Sequence, residues 1–251
     1  MTETTRRDRP RADTEREIRQ QARRLLVEQG REAVTLRAIA RELGITAPAL
    51  YRYYDSREDL LRRVIDDICG DLGAELTADL TRIDEHDAVG GVLAVCRGFR
   101  RWALNHPQEF TLVFASPADS ATCEFDASTG TMMRPAKDQF GRIFLNMAGK
   151  LLATHKLLVP DEEQVPEELR VDLAAFRSHL LAQIEQEGIA LPEESLNLSV
   201  VYTMLQFWVR LYGQVALEVF GRFPFAVSNA EPLFETMLTE LFDDIGLANA
   251  S

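Results

Sequence analysis

Between residues 35 and 61 the chain reads TLRAIARELGITAPALYRYYDSREDLL, and its turn signals fall so close together that only very short helices fit between them. Thr35 is an N-cap residue, Leu36, Ile39, Ala40 and Leu43 recur at helical spacing, and Gly44 closes the run, which predicts a helix over 36–43. Thr46 then caps a third helix, with Pro48 in its first turn where a missing N–H does no harm, running to about Tyr53. Ser56 caps a long amphipathic helix from 58 to about 80 that carries Leu60, Leu61, Val64, Ile65, Ile68, Leu72 and Leu76. Ahead of these, Thr14 with Glu17 reads as a capping box, Ile18, Ala22, Leu25 and Leu26 keep helical spacing, and Gly30 ends the segment.

Two short helices joined by Gly44 and Ile45, packed on a preceding helix, make a tri-helical helix-turn-helix. Its second helix is narrow enough to enter the major groove of DNA, about 12 Å wide, and present side chains to base edges. The stretch also resembles the tetracycline-repressor (TetR) family, whose pattern T-x-x-x-I-A-x-x-L-G-[IV]-[ST]-x-x-x-L-Y-x-[HY]-[FY]-x-[SN]-[KR]-x-x-L it meets at nearly every fixed position. That resemblance implies a DNA interface. Thr35 and Arg37 stand where the family contacts phosphates, and a helix N-terminus favours anions in any case. Thr46, Ala47, Pro48, Ala49 and Arg52 take the groove-facing positions, with Arg52 the candidate for a guanine contact. Tyr51 and Tyr53 fall where the family places phosphate-binding or base-edge aromatic and histidine side chains; His is common at the place of Tyr53, so a hydroxyl replaces a charge-capable ring. Arg57 takes the place of a lysine at the start of the fourth helix and is expected to clamp another phosphate. Leu36, Ile39, Leu43, Ile45, Leu50 and Tyr54 read as the core of this small domain.

Helical patterns continue over 87–105, where His106-Pro107 stops them, and over 108–115, 131–158, 161–187, 195–220 and 228–246. Residues 116–131 are small and polar and read as a loop. No alternation of period two is long enough for a sheet, and no internal repeat is visible. The expected fold is all-α with nine or ten helices: a flexible arm over 1–13, a helix-turn-helix DNA-binding domain over 14–60, and a helical ligand-binding and dimerisation bundle over 61–251. The Arg-rich part of the arm, 6–11, reads either as a solvated tail or as a minor-groove contact.

In the C-terminal half, FRRWALNHPQEFTLVFASP (99–117) and FWVRLYGQVALEVFG (207–221) resemble the TetR subfamily named for a Trp-His-Gly signature. Trp208 and Gly213 match it, and Tyr212 stands at the histidine position. A domain that senses a small molecule needs aromatic and apolar walls with a few orienting polar groups. Phe99, Trp102, Phe110, Phe114, Phe140, Phe144, Met147, Phe176, Tyr202, Gln206 and Tyr212 are the candidates for such walls, or else for a filled core. Leu233, Phe234, Met237, Leu238, Leu241, Phe242 and Ile245 form one apolar stripe, and Leu205, Val209, Tyr212, Ala216 and Leu217 another. Packed against the same stripes of a second copy, they would make a homodimer that reads a near-palindromic operator.

The formal net charge of −12 argues against a nucleic-acid partner only until it is divided along the chain. Residues 1–63 hold 15 Arg against 11 Asp plus Glu, a net of +4, and the remainder holds 13 Lys plus Arg against 29 Asp plus Glu, a net of −16. Cys69, Cys96 and Cys123 lack CxxC spacing and the four histidines lack metal spacing, so no metal or cofactor is expected. No Gly-rich phosphate loop, nucleophile elbow or paired catalytic carboxylates suggest an enzyme. Without a run of about 18 apolar residues or an apolar leader, the chain reads as cytoplasmic. The expected function is a dimeric repressor on double-stranded DNA, released by a small apolar or amphipathic ligand. A ligand-independent or redox-responsive DNA-binding regulator is the alternative.

Overall fold

A computed structural model describes residues 11–115, 124–126, 131–133, 139–186, 188 and 191–247. The described residues form α1 (Arg11–Gln29), α2 (Leu36–Leu43), α3 (Ala47–Leu50), α4 (Arg57–Leu80), α5 (Ala88–Asn105), α6 (Pro107–Phe114), α7 (Gln139–Thr154), α8 (Arg170–Gln186), α9 (Leu198–Phe220) and α10 (Glu231–Asp244). The all-α reading holds, with one small addition: β1 (Glu124–Asp126) pairs with β2 (Thr131–Met133). The helix expected from residue 131 gives way to strand over Thr131–Met133, suited to the β-branched Thr131, and α7 is described from Gln139. The expected arm falls almost wholly on residues 1–10, which lie outside the described residues. Among the described residues no helix is long and apolar enough to cross a membrane.

The chain divides into two compact units: one holds the described residues of Met1–Cys69 and Gln108–Glu124, the other those of Gly70–Pro107 and Phe125–Ser251. In the first, Ile18, Ala22, Leu25 and Leu26 of α1 are buried along with Leu36, Ile39 and Ala40 of α2, Leu50 of α3, and Leu60, Leu61, Val64 and Ile68 of α4. Leu43 and Ile45, also expected in this core, are half-buried. α1 begins at Arg11, so Thr14 is not its cap; it lies buried inside the first turn, while Arg11–Glu15 and Arg16–Asp13 pairs line the outer side. Thr35 caps α2 as expected, its hydroxyl accepting from the Ala38 N–H at 3.1 Å. At the other end Gly44 has φ 63°, and the Ile45 N–H closes back on the Ala40 carbonyl at 2.9 Å. Space does not require glycine there, since a Cβ would meet nothing within 4 Å; the positive φ does. Ser56 caps α4 by accepting from the Asp59 N–H at 3.0 Å. The carboxylate of Glu109 on α6, 2% exposed, is ion-paired with Arg23 of α1.

In the second unit α5 packs against α7 and α9. A Cβ on Gly98 would lie 2.6 Å from the Leu76 Cδ2, so glycine lets the later part of α4 approach α5 this closely. Three successive arginines of α5 reach carboxylates on other helices: Arg97 to Glu235 on α10, Arg100 to Glu218 on α9, and Arg101 to Asp79 on α4. α8 starts nine residues after the expected position 161, because Pro166 lacks an N–H and holds Val165 extended (φ −73°, ψ 121°), leaving two short 3-10 turns. α9 begins at Leu198, with Asn197 as its cap, and Ser195 belongs to a preceding 3-10 turn. α10 begins at Glu231, whose N–H donates to the Asn229 side chain at 3.0 Å.

Most of the apolar stripe read on α10 as a face for a second copy is covered by this chain: Phe234, Leu238, Leu241, Phe242 and Ile245 are buried, the last two in a cluster with Ala88, Val89, Leu151 and Leu247, while Met237 is half-buried and Leu233 is exposed. α9 differs: Leu205, Val209, Leu217 and Phe220 are exposed large apolar side chains, Val209 by 58%. Gly213, one helical step from both Val209 and Leu217, would meet nothing within 4 Å if it carried a Cβ.

Candidate nucleic-acid interface

α2 packs on α3, and the residues between and behind them fix what is left facing outward. Leu36, Ile39, Ala40, Leu50 and Tyr54 point into the small core. The Tyr54 hydroxyl donates to the Glu15 carbonyl at 3.3 Å and accepts from Arg19 at 3.4 Å, and Arg19 in turn pairs with Asp67 of α4. Burial pushes the Tyr54 phenol above its ordinary pKa, so the group stays protonated and keeps its donor. One side chain thus ties the end of the reading segment to both α1 and α4.

Thr35, Arg37, Thr46, Pro48, Tyr51 and Arg52 are exposed, and Ala47, Ala49, Tyr53 and Arg57 are half-buried. Arg37 and Arg52 have no ion-pair partner among the described residues. No described residue therefore neutralises their charge. Thr46 occupies the N-cap position of α3 (φ −80°, ψ 144°), yet its hydroxyl makes no capping bond. α3 is shorter than expected. Regular helix stops at Leu50, and the chain passes through Tyr51 (φ −63°, ψ −9°) into turn bonds from the Arg52 and Tyr53 N–H groups to the Ala49 and Leu50 carbonyls. Arg52 and Tyr53 thus sit on a tightened turn. Arg11, the last residue of the Arg-rich part of the expected arm, lies there too: its guanidinium is 5.7 Å from the centroid of the Tyr53 ring and donates to the Arg52 carbonyl at 3.4 Å.

Arg57 is placed differently from the other cations. Its Nε donates to the Val34 carbonyl and its terminal nitrogen to the Arg31 carbonyl, both at 2.6 Å. Glu32 and Glu58 carboxylates stand 3.8 and 4.0 Å from the same guanidinium. Nothing in the local sequence signals these partners, 23 and 26 residues away along the chain.

The residues expected to wall a ligand site separate into groups. Phe99, Phe144 and Tyr212 come together in the second unit around Trp208. Phe99 and Trp208 are 5.7 Å apart, Phe144 meets Trp208 edge-on at 5.9 Å, and Trp208 stacks on Tyr212 at 5.8 Å. Trp208, noted in the sequence only for its place in the signature, is the ring that joins them. Met147 is buried next to Gly91, and Trp102 stacks on His106 at 5.4 Å. Phe176 and Tyr202 pack against a different cluster built on Leu173, Leu180 and Val201. Gln206 is exposed. Phe110 and Phe114 pair with each other at 5.2 Å and belong to the first unit, and the Phe140 side chain lies outside the described residues.

Cys69 and Cys96 are buried thiols not joined in a disulfide, and burial pushes Cys96 up to about 12. A thiol held that far from ionisation is a poor nucleophile toward peroxide. Cys123 lies outside the described residues.

Comparison with known proteins agrees with the geometry. Residues 18–64 match the family described as bacterial regulatory proteins, tetR family, and residues 92–241 match a tetracyclin repressor-like C-terminal domain. HTH-type transcriptional regulators of Mycobacterium bovis and Mycobacterium tuberculosis are 30% identical over 215 residues, 85% of this chain and 83% of theirs. Among solved structures, a regulatory protein superposes with a TM-score of 0.61 at 24% identity, covering 94% of this chain and 100% of that one. A Rhodococcus protein of unknown function gives 0.56 at 13% identity over 97% and 99%. Both structural likenesses speak for the fold alone.

Proposed function

Because the chain belongs to the TetR family of transcriptional regulators, a DNA-binding class and not an enzyme class, we propose that it acts as a dimeric repressor released from its operator by a small molecule. The observation that carries the DNA-reading part is the exposure of Arg37 and Arg52 without ion-pair partners among the described residues, next to a Thr46 hydroxyl that its own helix does not use. Charges left unneutralised on a rigid helix pair suit a phosphate backbone and base edges. In this reading Thr35, Arg37 and Tyr51 meet phosphates. Thr46, Ala47, Pro48 and Ala49 face the groove, Arg52 contacts a guanine, and Tyr53 borders the contact.

Homodimerisation is supported by the apolar side of α9, where Leu205, Val209 and Leu217 stay exposed among the described residues. A second copy of α9 would cover them and set two reading helices on one near-palindromic operator. The aromatic group Phe99, Phe144, Trp208 and Tyr212 suits a small apolar or amphipathic guest, with the Tyr212 hydroxyl as an orienting group. Ligand binding there would act through α4, one continuous helix whose residues divide between the two units at Cys69 and Gly70. An allosteric coupling of about 1 to 3 kcal/mol would weaken operator binding roughly 5- to 150-fold.

Selecting bound fragments from random-sequence duplex tests the first part: a near-palindromic consensus is expected, and Arg52→Ala should relax one base position in each half-site at a cost of about 1 to 3 kcal/mol. The ligand part is tested with a panel of planar aromatic compounds screened by tryptophan quenching. Compounds that quench should also lower operator affinity, and quenching that leaves affinity unchanged at several salt concentrations would remove the release mechanism.

A further inference from the structure

We infer that Arg57 is a positioning residue for the DNA-reading surface, bracing the turn that delivers Thr35 and Arg37, and that it makes no phosphate contact of its own. The inference rests on the DNA-binding reading above and departs from the phosphate clamp that the sequence suggests. Its ground is the use to which the guanidinium is already put. The 3-10 turn Arg31–Ala33 closes on its own backbone through long bonds, from the Ala33 N–H to the Gly30 carbonyl and from the Val34 N–H to the Arg31 carbonyl, both at 3.2 Å, and helix ends in general leave carbonyl acceptor capacity over. Arg57 covers the Arg31 and Val34 carbonyls at once, each at 2.6 Å, which a planar fork of donors can do.

The turn is entered through Gly30 at φ 81°, a residue with a wide choice of backbone conformations, so the sequence alone leaves its direction loose. Thr35 is registered on the same turn, donating its N–H to the Ala33 carbonyl at 2.9 Å before its hydroxyl caps α2. Fixing the turn therefore fixes the N-terminus of α2 and Arg37, the second residue of its first turn. The electrostatics point the same way. Glu32 and Glu58, at 3.8 and 4.0 Å, offset the guanidinium charge, and the side chain is only 26% exposed. Arg37 is exposed and has neither burden.

The test uses the full chain and the duplex that the wild-type chain selects from random-sequence DNA, with affinity measured over a salt series for wild type, Arg57→Ala, Arg57→Lys and Arg37→Ala. Lysine keeps the charge and can reach a phosphate, but a single nitrogen on a flexible stem cannot hold both carbonyls. Arg57→Ala and Arg57→Lys are both expected to bind about ten-fold more weakly, the scale of a lost charged hydrogen bond. Their salt slopes should equal the wild type's, whereas Arg37→Ala should reduce the slope by about 0.9. Amide exchange at Val34, Thr35 and Ala38 should quicken in both Arg57 variants and stay unchanged in Arg37→Ala. A slope that drops in Arg57→Ala as it does in Arg37→Ala, or wild-type affinity in Arg57→Lys, overturns the inference. Should Arg57→Ala lose its helical circular dichroism, Arg57→Lys carries the comparison. Failure of the wild-type chain to select any duplex sinks the DNA-binding reading instead, and the exchange data still report on the brace.

Discussion

Arg37 on α2 and Arg52 on the turn after α3, set beside the arginines of α5, are the same residue type in opposite employment. Arg37 projects from a short helix closed within a few residues, by the Thr35 hydroxyl at one end and the Gly44 turn at the other, and Arg52 from the tightened turn that follows α3. Arg97, Arg100 and Arg101 each hold a carboxylate on another helix, two of them more than a hundred residues away along the chain. Where local capping completes a helix, its cations remain available to a partner. On α5 the long-range pairs take up the charge and the fold depends on them. Substitution of arginine should therefore cost DNA affinity in the first region and stability in the second.

The sharpest contrast comes from the core that the α5 arginines surround. Phe99 is fully buried and touches the Phe144 and Trp208 rings, so Phe99→Ala should cost about 3 to 5 kcal/mol in urea unfolding. Next comes Arg100→Ala. Glu218 keeps only 4% of its side chain exposed, and removal of its bidentate partner leaves a buried carboxylate with Gln214 alone, at about 3 kcal/mol. A loss below about 1 kcal/mol there would break the comparison, because α5 would then not need its pairs. Arg97→Ala should cost less than about 1 kcal/mol, since that pair is partly exposed and screened. Its signature is pH dependence. Arg97 holds the Glu235 carboxyl below the usual glutamate range, so the pair stabilises the fold above that range and the benefit fades as pH falls through and beneath it. The stability difference between wild type and Arg97→Ala should shrink on acidification, and a constant gap would show that Glu235 is not the partner in solution. Smallest of all, Arg52→Ala should change stability by no more than about 0.5 kcal/mol while specificity is lost.

The same division governs how much could be read in advance. Thr35, Gly44 and Ser56 act on atoms within a few residues, so the start and stop of α2 and the start of α4 are visible in local sequence. α3 was overextended because Tyr51 to Tyr53 keep helical character while the bonding tightens to the third residue back, which composition does not show. α10 displays a periodic apolar stripe, but periodicity states that a face is covered, not by what; Ala88, Val89 and Leu151 of the same chain supply the cover. The brace of Arg57 and the ion pair of Glu109 with Arg23 join residues far apart in sequence, and such contacts exist only once the chain has folded. Of the expected aromatic walls, Phe99, Phe144 and Tyr212 meet around Trp208, while Trp102 and Tyr202, on the same helices as two of them, pack elsewhere, because ring type gives no direction.

Gly213 stands in the middle of a 23-residue helix with open space on its side and apolar neighbours above and below. A mid-helix glycine costs about 1 kcal/mol relative to alanine, and no close approach among the described residues requires it here. If an identical helix crosses there, the missing side chain becomes an advantage that exists only in the assembled form. Melting temperature would then climb with protein concentration, and the regulator would be at its most fragile when the cell holds few copies of it.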